Sequence, residues 1–357
     1  MVADTLRPVN LAGSRAPIYA LIVIKHTCMV YRNLRLPSAL VFAASMSTAW
    51  AAAAADEAAQ YPSRPIRIVI GFSAGSTVDV SARVIGQKLN ETWKQQVIAD
   101  NRPSAGGIIA AQTVANATPD GHTLLSVSAS HAVAPAVYSK LPYDTLKDFA
   151  GITTTVSVPA VLIVSPSLGV ESVRGLIAMA KAKPGQVMFS SGGVGSATHF
   201  SAELFQSLAG IDVGHVPYKG IPEAVMEAAT GRVQFMLSPV TNALPFIRDG
   251  KLLALAVTPG KRVTVLPDVP TMIEAGVPGY RWETWFGLLA PGKTPRAIVN
   301  KLNREITRVL NLPESKERWN ALGAEPVPIA PQAFDTFIAE QIALLTRLAK
   351  AAHIKAD

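Results

Sequence analysis

The fold is decided by residues 66–79, which read Ile66-Arg-Ile-Val-Ile-Gly-Phe-Ser-Ala-Gly-Ser-Thr-Val-Asp79. Ile66–Ile70 is rich in β-branched residues and predicts a buried strand. From Ser76 to Lys94 apolar residues recur at helical spacing, so we expect a helix there. The intervening loop is rich in glycine and hydroxyl residues. A strand that passes through such a loop into a helix is typical of an α/β sheet.

Strand and helix alternate through the rest of the chain. Further strands are predicted at 97–99, 124–127, 161–164, 187–190, 213–216, 233–237, 252–257 and 285–289. Further helices are predicted at 106–117, 197–209, 222–230, 295–310 and 331–352. This alternation favours an α/β fold in which helices flank mixed sheets.

Two segments combine strand character with an abrupt change of surroundings, and they predict two hinge crossings between two lobes. One is Val156–Pro166, which Pro159 interrupts, and the other is Trp282–Pro291. The lobes would then hold residues 61–160 plus 290–357 and residues 161–285. Paired crossings suit closure around a ligand. We therefore expect a two-lobed α/β protein with one mixed sheet in each lobe.

Residues 1–55 differ from the rest and predict a presequence with a secretory signal. Arg32 and Arg35 precede an apolar run, Leu36–Ala49, that leads into a tract of alanines. A basic start, a short apolar core and small residues at a cut site are typical of signal peptides. We expect cleavage near Ala49–Ala55, with Met29 as the true start. The apolar run is short for a membrane span, which needs ~20 residues.

Composition excludes several functional classes. The net charge of +8 falls to +4 without residues 1–55, which hold five basic residues and one acidic residue. The basic residues are dispersed, so we expect a solvated surface and no nucleic-acid partner. Cys28, the only cysteine, precedes Met29; the exported chain would have no thiol for catalysis or zinc binding. The histidines lack metal-ligand spacing and no phosphate-loop motif occurs, so neither metal nor cofactor is expected.

The candidate site lies in loops that run from a strand into a helix. Two of them, Gly71–Asp79 and Ser190–His199, are rich in glycine and hydroxyl residues. Glycine lets the backbone approach a ligand, and the first helical turn offers unpaired N–H donors with partial positive charge. Both properties favour an anion such as a carboxylate or phosphate. Loops 101–107 and 126–131 also follow strands, at the sheet edge where α/β proteins bind ligands.

These considerations give a set of candidate ligand-binding residues. They are Phe72, Ala74, Gly75, Ser76, Thr77 and Asp79 from the first loop, Gly192, Gly195, Ser196 and Thr198 from the second, and Ser128, Ser130 and Ser238 from other strand ends. Two alternatives stay open. The hydroxyl side chains would otherwise only cap their helices. Asp79 either complements the helix dipole beside Arg83 or receives an ammonium or hydroxyl group of the ligand.

An enzyme is the main alternative to a non-catalytic binding protein. Ser196 lies close to His199 in the sequence, as a nucleophile and its base would in a hydrolase. However, residues 193–197 read Gly-Val-Gly-Ser-Ala and do not form the Gly-x-Ser-x-Gly elbow of α/β-hydrolases. We therefore favour binding without catalysis.

An ordered set of motifs resembles one family, the tripartite tricarboxylate transporter substrate-binding proteins, also called Bug receptors. The matching stretches are Tyr61-Pro-Ser-Arg-Pro-Ile-Arg-Ile-Val-Ile70, Asp79-Val-Ser-Ala-Arg83, Asn101-Arg-Pro-Ser-Ala-Gly-Gly107, Ala117-Thr-Pro-Asp-Gly-His-Thr-Leu-Leu125, His215-Val-Pro-Tyr-Lys-Gly220, Leu266-Pro-Asp-Val-Pro-Thr271, Trp285-Phe-Gly-Leu-Leu-Ala-Pro291 and Leu322-Gly-Ala-Glu325. Together they span about residues 60–357.

The resemblance implies a periplasmic binding protein of type II fold that closes on a small carboxylate. It implies that the ligand lies between Phe72–Asp79 and Ser190–Thr198, held by backbone amides and ordered water. The implied partners are a small organic acid and membrane transporter subunits, and we expect a monomer. A sensor that passes ligand binding to a membrane kinase would use the same pocket. The first loop reads Ser73-Ala-Gly-Ser76 where the family usually has Pro-Gly-Gly or Ala-Gly-Gly, which leaves the ligand's identity open.

Overall fold

The computed structural model of the protein describes residues 59–351 and 353–355. The expected secretory signal, with Cys28 and Met29, lies outside the described residues. The strands are β1 (Ile66–Ile70), β2 (Val97–Asn101), β3 (Thr123–Ser128), β4 (Phe149–Val164), β5 (Met188–Ser191), β6 (Gly214–Pro217), β7 (Phe235–Pro239), β8 (Leu253–Val257), β9 (Glu283–Pro291) and β10 (Glu325–Pro326). The α-helices are α1 (Thr77–Trp93), α2 (Ile108–Ala115), α3 (Ser130–Val137), α4 (Val173–Ala182), α5 (Ala197–Ala209), α6 (Ile221–Ala229), α7 (Val240–Arg248), α8 (Arg296–Asn311), α9 (Pro313–Ala321) and α10 (Pro331–Ala351). These elements confirm the expected mixed α/β fold.

The strands are connected into a mixed sheet with the order β2-β1-β3-β9-β4-β7-β5-β6, while β8 and β10 pair with β4. At one end β1, β2 and β3 run parallel, and at the other end β5, β6 and β7 run parallel. Antiparallel β9 and β4 connect these two groups. We call β1–β3 the first strand group and β5–β7 the second.

The long strand β4 corrects one sequence-based expectation. A strand is predicted only at residues 161–164, and Pro159 is expected to interrupt the longer segment Val156–Pro166. In the structure β4 is continuous from Phe149 to Val164. Pro159 is the last β4 residue paired with β9, and from Ala160 the partners are β7 and β8. A proline lacks an N–H donor, so it is tolerated where a strand exchanges its neighbours. This exchange lies inside the segment expected to cross between lobes, while the exact lobe boundaries stay a prediction.

Within the described residues, buried apolar side chains form three clusters, one of which contains residues of both strand groups, such as Val69 of β1 and Phe189 of β5. A second cluster joins β1 to the inner faces of α1 and α8, with Leu89, Leu302 and Trp319 almost fully buried. The third joins β4 and β7 to α6 and α7. No helix within the described ranges is both long enough and apolar enough to cross a membrane.

The C-terminal helix α10 fixes the two connecting strands. Phe334 is fully buried, and its ring meets Trp285 edge-on while contacting the open face of Gly287 on β9. Beside it, the Asp335 carboxylate accepts a hydrogen bond from the Gly151 N–H of β4 at 2.6 Å. One turn of α10 therefore holds both β4 and β9, the strands that connect the two groups.

Phe334→Ala is expected to lower the free energy of unfolding by about 3–5 kcal/mol, because it removes a buried ring and leaves a cavity. Urea unfolding followed by circular dichroism measures this. Leu344→Ala on the same helix is the matched control, since Leu344 is 40% exposed and should cost less than about 1 kcal/mol. Equal losses in the two variants would contradict the anchoring role of Phe334.

Candidate functional site

A narrow cleft lies where the loops of the two strand groups face each other. Its lining combines residues from both groups with residues from β9. They are Phe72, Ser76, Thr77, Val78, Ser128, Ser130, Ser196, Ala197, Thr198, Ile221, Pro239, Thr284 and Phe286. The cavity has a volume of about 20 Å³, which is room for about one water molecule.

The start of α1 presents unused hydrogen-bond donors to this cleft. The first intrahelical bond runs from the Val80 N–H to the Ser76 carbonyl, so the N–H groups of Thr77 and Val78 have no acceptor within the helix. Ser76 occupies the N-cap position, but its side chain caps no amide. Its Oγ is fully buried and has no hydrogen-bond partner within the described chain. A buried hydroxyl is normally satisfied, so Ser76 is available to a ligand.

Asp79 stabilises the loop between β1 and α1 through hydrogen bonds. Its buried carboxylate accepts hydrogen bonds from the Gly75 N–H at 2.9 Å, from Arg83 Nε at 2.9 Å and from Asn101 Nδ2 at 3.0 Å. Asn101 Nδ2 also donates to the Phe72 carbonyl. Burial alone would raise the pKa of Asp79, but the hydrogen bonds from Arg83, Gly75 and Asn101 and the charge of Arg83 lower it below its ordinary value. The expected pair with Arg83 is thus formed, and Asp79 holds the loop in shape.

The start of α5 faces the cleft from the second strand group, but its hydroxyl groups are already used. Ser196 Oγ accepts the His199 N–H at 3.2 Å and lies 3.0 Å from Thr198 Oγ1. Thr198 Oγ1 accepts the Gly192 N–H at 3.0 Å. Ser196 thus caps α5, whereas Thr198 supports the loop that precedes the helix. Among the first-turn amides, the His199 N–H is used by this cap.

Hydrogen bonds join the two strand groups directly across the cleft. Ser130 Oγ accepts the Ala197 N–H at 2.8 Å, the first amide of α5. Thr77 Oγ1 donates to Asn242 Oδ1 at 2.7 Å, and Asn242 Nδ2 donates to the Gly75 carbonyl at 3.0 Å. At the rim Ser73 Oγ donates to Glu223 Oε2 at 2.8 Å. The cleft is therefore contracted, with side-chain oxygens lying against amides that a ligand would also contact.

The structure brings most of the predicted site residues to one place. Phe72, Ser76, Thr77, Ser128, Ser130, Ser196 and Thr198 line the cavity. Ala74, Gly75, Asp79, Gly192, Gly195 and Ser238 do not line it. Gly75, Gly192 and Gly195 belong to the surrounding loops, Ala74 is exposed, and the Ser238 hydroxyl donates to the neighbouring Pro239 carbonyl.

Several lining residues escaped the sequence analysis. Val78 and Ala197 follow the predicted hydroxyl residues directly, so the helix starts themselves could have indicated them. Ile221 and Pro239 come from the starts of α6 and α7, and Thr284 and Phe286 from one face of β9. Only the three-dimensional arrangement brings these four residues to the cleft.

Two larger cavities lie elsewhere in the described structure. One, of about 550 Å³, lies between β9 and α10 and is lined by Trp285 and Phe337; the other, of about 660 Å³, lies beside the end of α10. Neither places the starts of two helices against each other. Size alone would favour these grooves, but the two helix starts and the unpartnered Ser76 Oγ favour the cleft as a ligand site.

The proposed hydrolase pair does not form. Ser196 Oγ is bonded to the backbone N–H of His199, while the ring Nδ1 of His199 accepts the Gly195 N–H at 3.2 Å. The ring therefore does not contact the hydroxyl that it would have to deprotonate. No group of three or more potential metal ligands occurs within the described residues either.

Asp79→Asn is expected to cost about 1–3 kcal/mol of folding free energy at neutral pH, because it removes the charged acceptor that holds Gly75 and Arg83. Since the folded-state pKa of Asp79 is lowered, its stabilisation is present above the ordinary aspartate pKa and is lost as the pH falls through the folded value. The difference between wild type and variant should thus shrink below about pH 4. Urea unfolding across this range measures it, with the exposed Asp268→Asn as control. A difference in unfolding free energy that stays constant with pH would contradict the stabilising role of the hydrogen bonds to the Asp79 carboxylate.

The chain is similar to known proteins over most of its length. Residues 81–354 match the family model described as tripartite tricarboxylate transporter family receptor. The protein BugT of Bordetella pertussis is 38% identical over 284 residues, which cover 79% of this chain and 87% of BugT. An R. palustris protein solved with adipate superposes with a TM-score of 0.80 at 35% identity, over 83% of this chain and 99% of that one.

A second solved relative is MatC from Rhodopseudomonas palustris with bound malate. It has a TM-score of 0.78 and 32% identity, over 81% of this chain and 99% of MatC. With a family match over most of the chain, the two-lobed periplasmic binding fold and the solute-binding role expected from the sequence are confirmed. The chain belongs to the tripartite tricarboxylate transporter receptors, a family of solute-binding proteins.

Proposed function

We propose that the protein captures a small organic carboxylate in the cleft between α1 and α5. The observation that carries this proposal is the buried, unpartnered Ser76 Oγ at a place where two helices begin opposite each other. One carboxylate oxygen would accept hydrogen bonds from Ser76 Oγ and the first amides of α1. The other carboxylate oxygen would accept hydrogen bonds from backbone N–H groups in the first turn of α5.

The energetics favour an anion at this position. Each helix start contributes about 0.3–1 kcal/mol of dipole stabilisation to a nearby negative charge, and up to about 2 kcal/mol when partly buried. Hydrogen bonds to a charged acceptor are about twice as strong as neutral ones. Apolar Phe72, Ile221 and Phe286 line the same cavity, and a less polar environment strengthens these interactions. Binding is thus driven by fixed dipoles and does not need a charged side chain in the cavity.

Ligand access requires the cleft to widen. A cavity of about 20 Å³ holds about one water molecule and no dicarboxylate. The contacts Ser130–Ala197 and Thr77–Asn242 would break, and the carboxylate would take over the freed amides. Such hinge opening is the usual behaviour of two-lobed binding proteins. The relatives solved with adipate and malate support a carboxylate as the class of ligand.

Cellular context is part of the same proposal. The bound ligand would be delivered to membrane transporter subunits of the tripartite tricarboxylate type, which the family match supports. The chain would act in the periplasm as a monomer, after removal of the predicted signal. Binding would involve no chemistry on the ligand, as the separation of the His199 ring from Ser196 Oγ supports.

Isothermal titration against a panel of C4 to C8 mono- and dicarboxylates is expected to give at least one ligand in the micromolar range or tighter. Ser76→Ala should weaken that ligand about tenfold or more, because a buried hydroxyl that pairs with a charge is lost. Ser76 caps no amide, so its loss should leave the melting temperature of the free protein almost unchanged.

Ser172→Ala is the matched control. Ser172 caps α4 away from the cleft by accepting the Gly175 N–H at 3.1 Å. This variant should lower the melting temperature and leave affinity intact. Carboxylates that fail to bind the wild type, or a Ser76→Ala variant with unchanged affinity, would contradict the proposed site.

Export is tested separately. When the full chain is expressed in a Gram-negative host, the periplasmic fraction should contain a product that begins near Ala49–Ala55, as intact-mass spectrometry would show. Replacing Leu40 and Val41 by aspartate should retain the chain in the cytoplasm, because the apolar core of a signal peptide is required for export. A periplasmic product that still carries Met29 would contradict the predicted cleavage.

A further inference from the structure

Two stacked imidazoles make hydrogen bonds to the loop at residues 190–199. The rings of His199 on α5 and His215 on β6 lie 4.2 Å apart between centroids, at 18° to each other. The Phe189 ring of β5 stacks on His215 at 4.6 Å. His199 is buried and His215 is partly buried. Neither ring lines the cleft, and the proposed function makes no use of either ring.

His199 binds two consecutive residues of the loop. Its backbone N–H donates to Ser196 Oγ, and its ring Nδ1 accepts the Gly195 N–H, both at 3.2 Å. Because an N–H donates to Nδ1, this nitrogen carries no proton, so the neutral ring holds its proton on Nε2. The Nε2 atom lies 3.5 Å from Glu203 Oε1, one turn further along α5.

His215 supports the preceding part of the loop. Its Nε2 lies 2.6 Å from Ser191 Oγ, which also accepts the Gly193 N–H at 3.1 Å. Gly193 and Gly195 both have positive φ angles, of 116° and 70°. Glycine adopts such conformations freely and loses much entropy when held in one of them. The hydrogen bonds to the imidazoles and Ser191 thus select one loop conformation from several.

We propose that His199 and His215 are positioning residues for ligand binding: in their neutral form they fix the loop Ser191–Ser196 so that the first amides of α5 point into the cleft. The proposal rests on the proposed function of that cleft.

Groups near the two imidazoles affect the charge that these rings carry. The ionisable groups that face the rings are His199 and Glu203 from α5 and His215 from β6. Glu203 Oε1 faces Nε2 of His199, the ring atom that carries the proton. Burial, and a repulsive contribution from His199, lower the pKa of His215 to about 3. His215 therefore stays neutral.

The test compares two replacements of His199, with the best carboxylate from the panel as ligand. His199→Leu removes the acceptor and should weaken binding about tenfold or more, the effect of one lost hydrogen bond at the site. His199→Asn places an amide oxygen near the position of Nδ1 and should recover most of the affinity. His353→Asn, at an exposed histidine, controls for the loss of a histidine elsewhere.

A second measurement needs no ligand. In the free wild type, a through-hydrogen-bond NMR coupling should join the Gly195 amide nitrogen to His199 Nδ1, and it should be absent in His199→Asn, where an oxygen accepts instead. This result stands even if His199→Leu fails to fold or no carboxylate binds, so it separates this inference from the proposed function. Equal affinities for His199→Leu and the wild type, or a free wild type that lacks this coupling, would overturn the inference.

Discussion

Two helices, α1 and α5, begin at the same narrow cavity, and first-turn residues of both line it. This arrangement is energetically unfavourable without an anion, because the positive ends of two helix dipoles are brought together in a largely apolar space. Hydrogen bonds across the cleft reduce that cost in the contracted form, as when Ser130 Oγ accepts the first amide of α5. A carboxylate would satisfy the same donors more strongly because it is charged. Ligand binding and closure are therefore linked by the same set of amides.

The rest of the fold keeps these helix starts in register. Strands β1 and β5 each run parallel to the neighbours in their own group and both end at the cleft, so each group delivers one loop and one helix to it. Antiparallel β4 and β9 connect the two groups, and α10 holds both of them through Phe334 and Asp335. Behind each loop lies a buried polar support, Asp79 with Arg83 and Asn101 on one side and the His199–His215 pair on the other. The ligand would thus meet a backbone already held in its binding conformation, which reduces the entropy lost on binding.

Much of this could be predicted from the sequence because its signals are local. A β-branched run, a glycine-containing turn and a hydroxyl residue at the start of a helix follow one another in residues 66–79, and the structure has β1, the loop and α1 at these positions. The same sequence logic located Ser196 and Thr198.

Local signals could not show that the Ser196 and Thr198 hydroxyls bind amides of their own loop and helix start while Ser76 Oγ stays unpaired, because that difference depends on which amides come within reach. Nor could they place Asn242 against Thr77, 165 residues away in the sequence. The continuation of β4 through Pro159 was missed because the exchange of strand partners there depends on the tertiary fold.

The central claim is that a carboxylate is held by the opposed starts of α1 and α5. A crystal structure of the protein with its best-binding organic acid tests this most directly. The account predicts one carboxylate group within about 2.7–3.1 Å of Ser76 Oγ and of first-turn amides of both helices, with the Ser130–Ala197 contact replaced by the ligand. A ligand bound instead in the groove between β9 and α10, with Ser76 Oγ still unpaired, would contradict it.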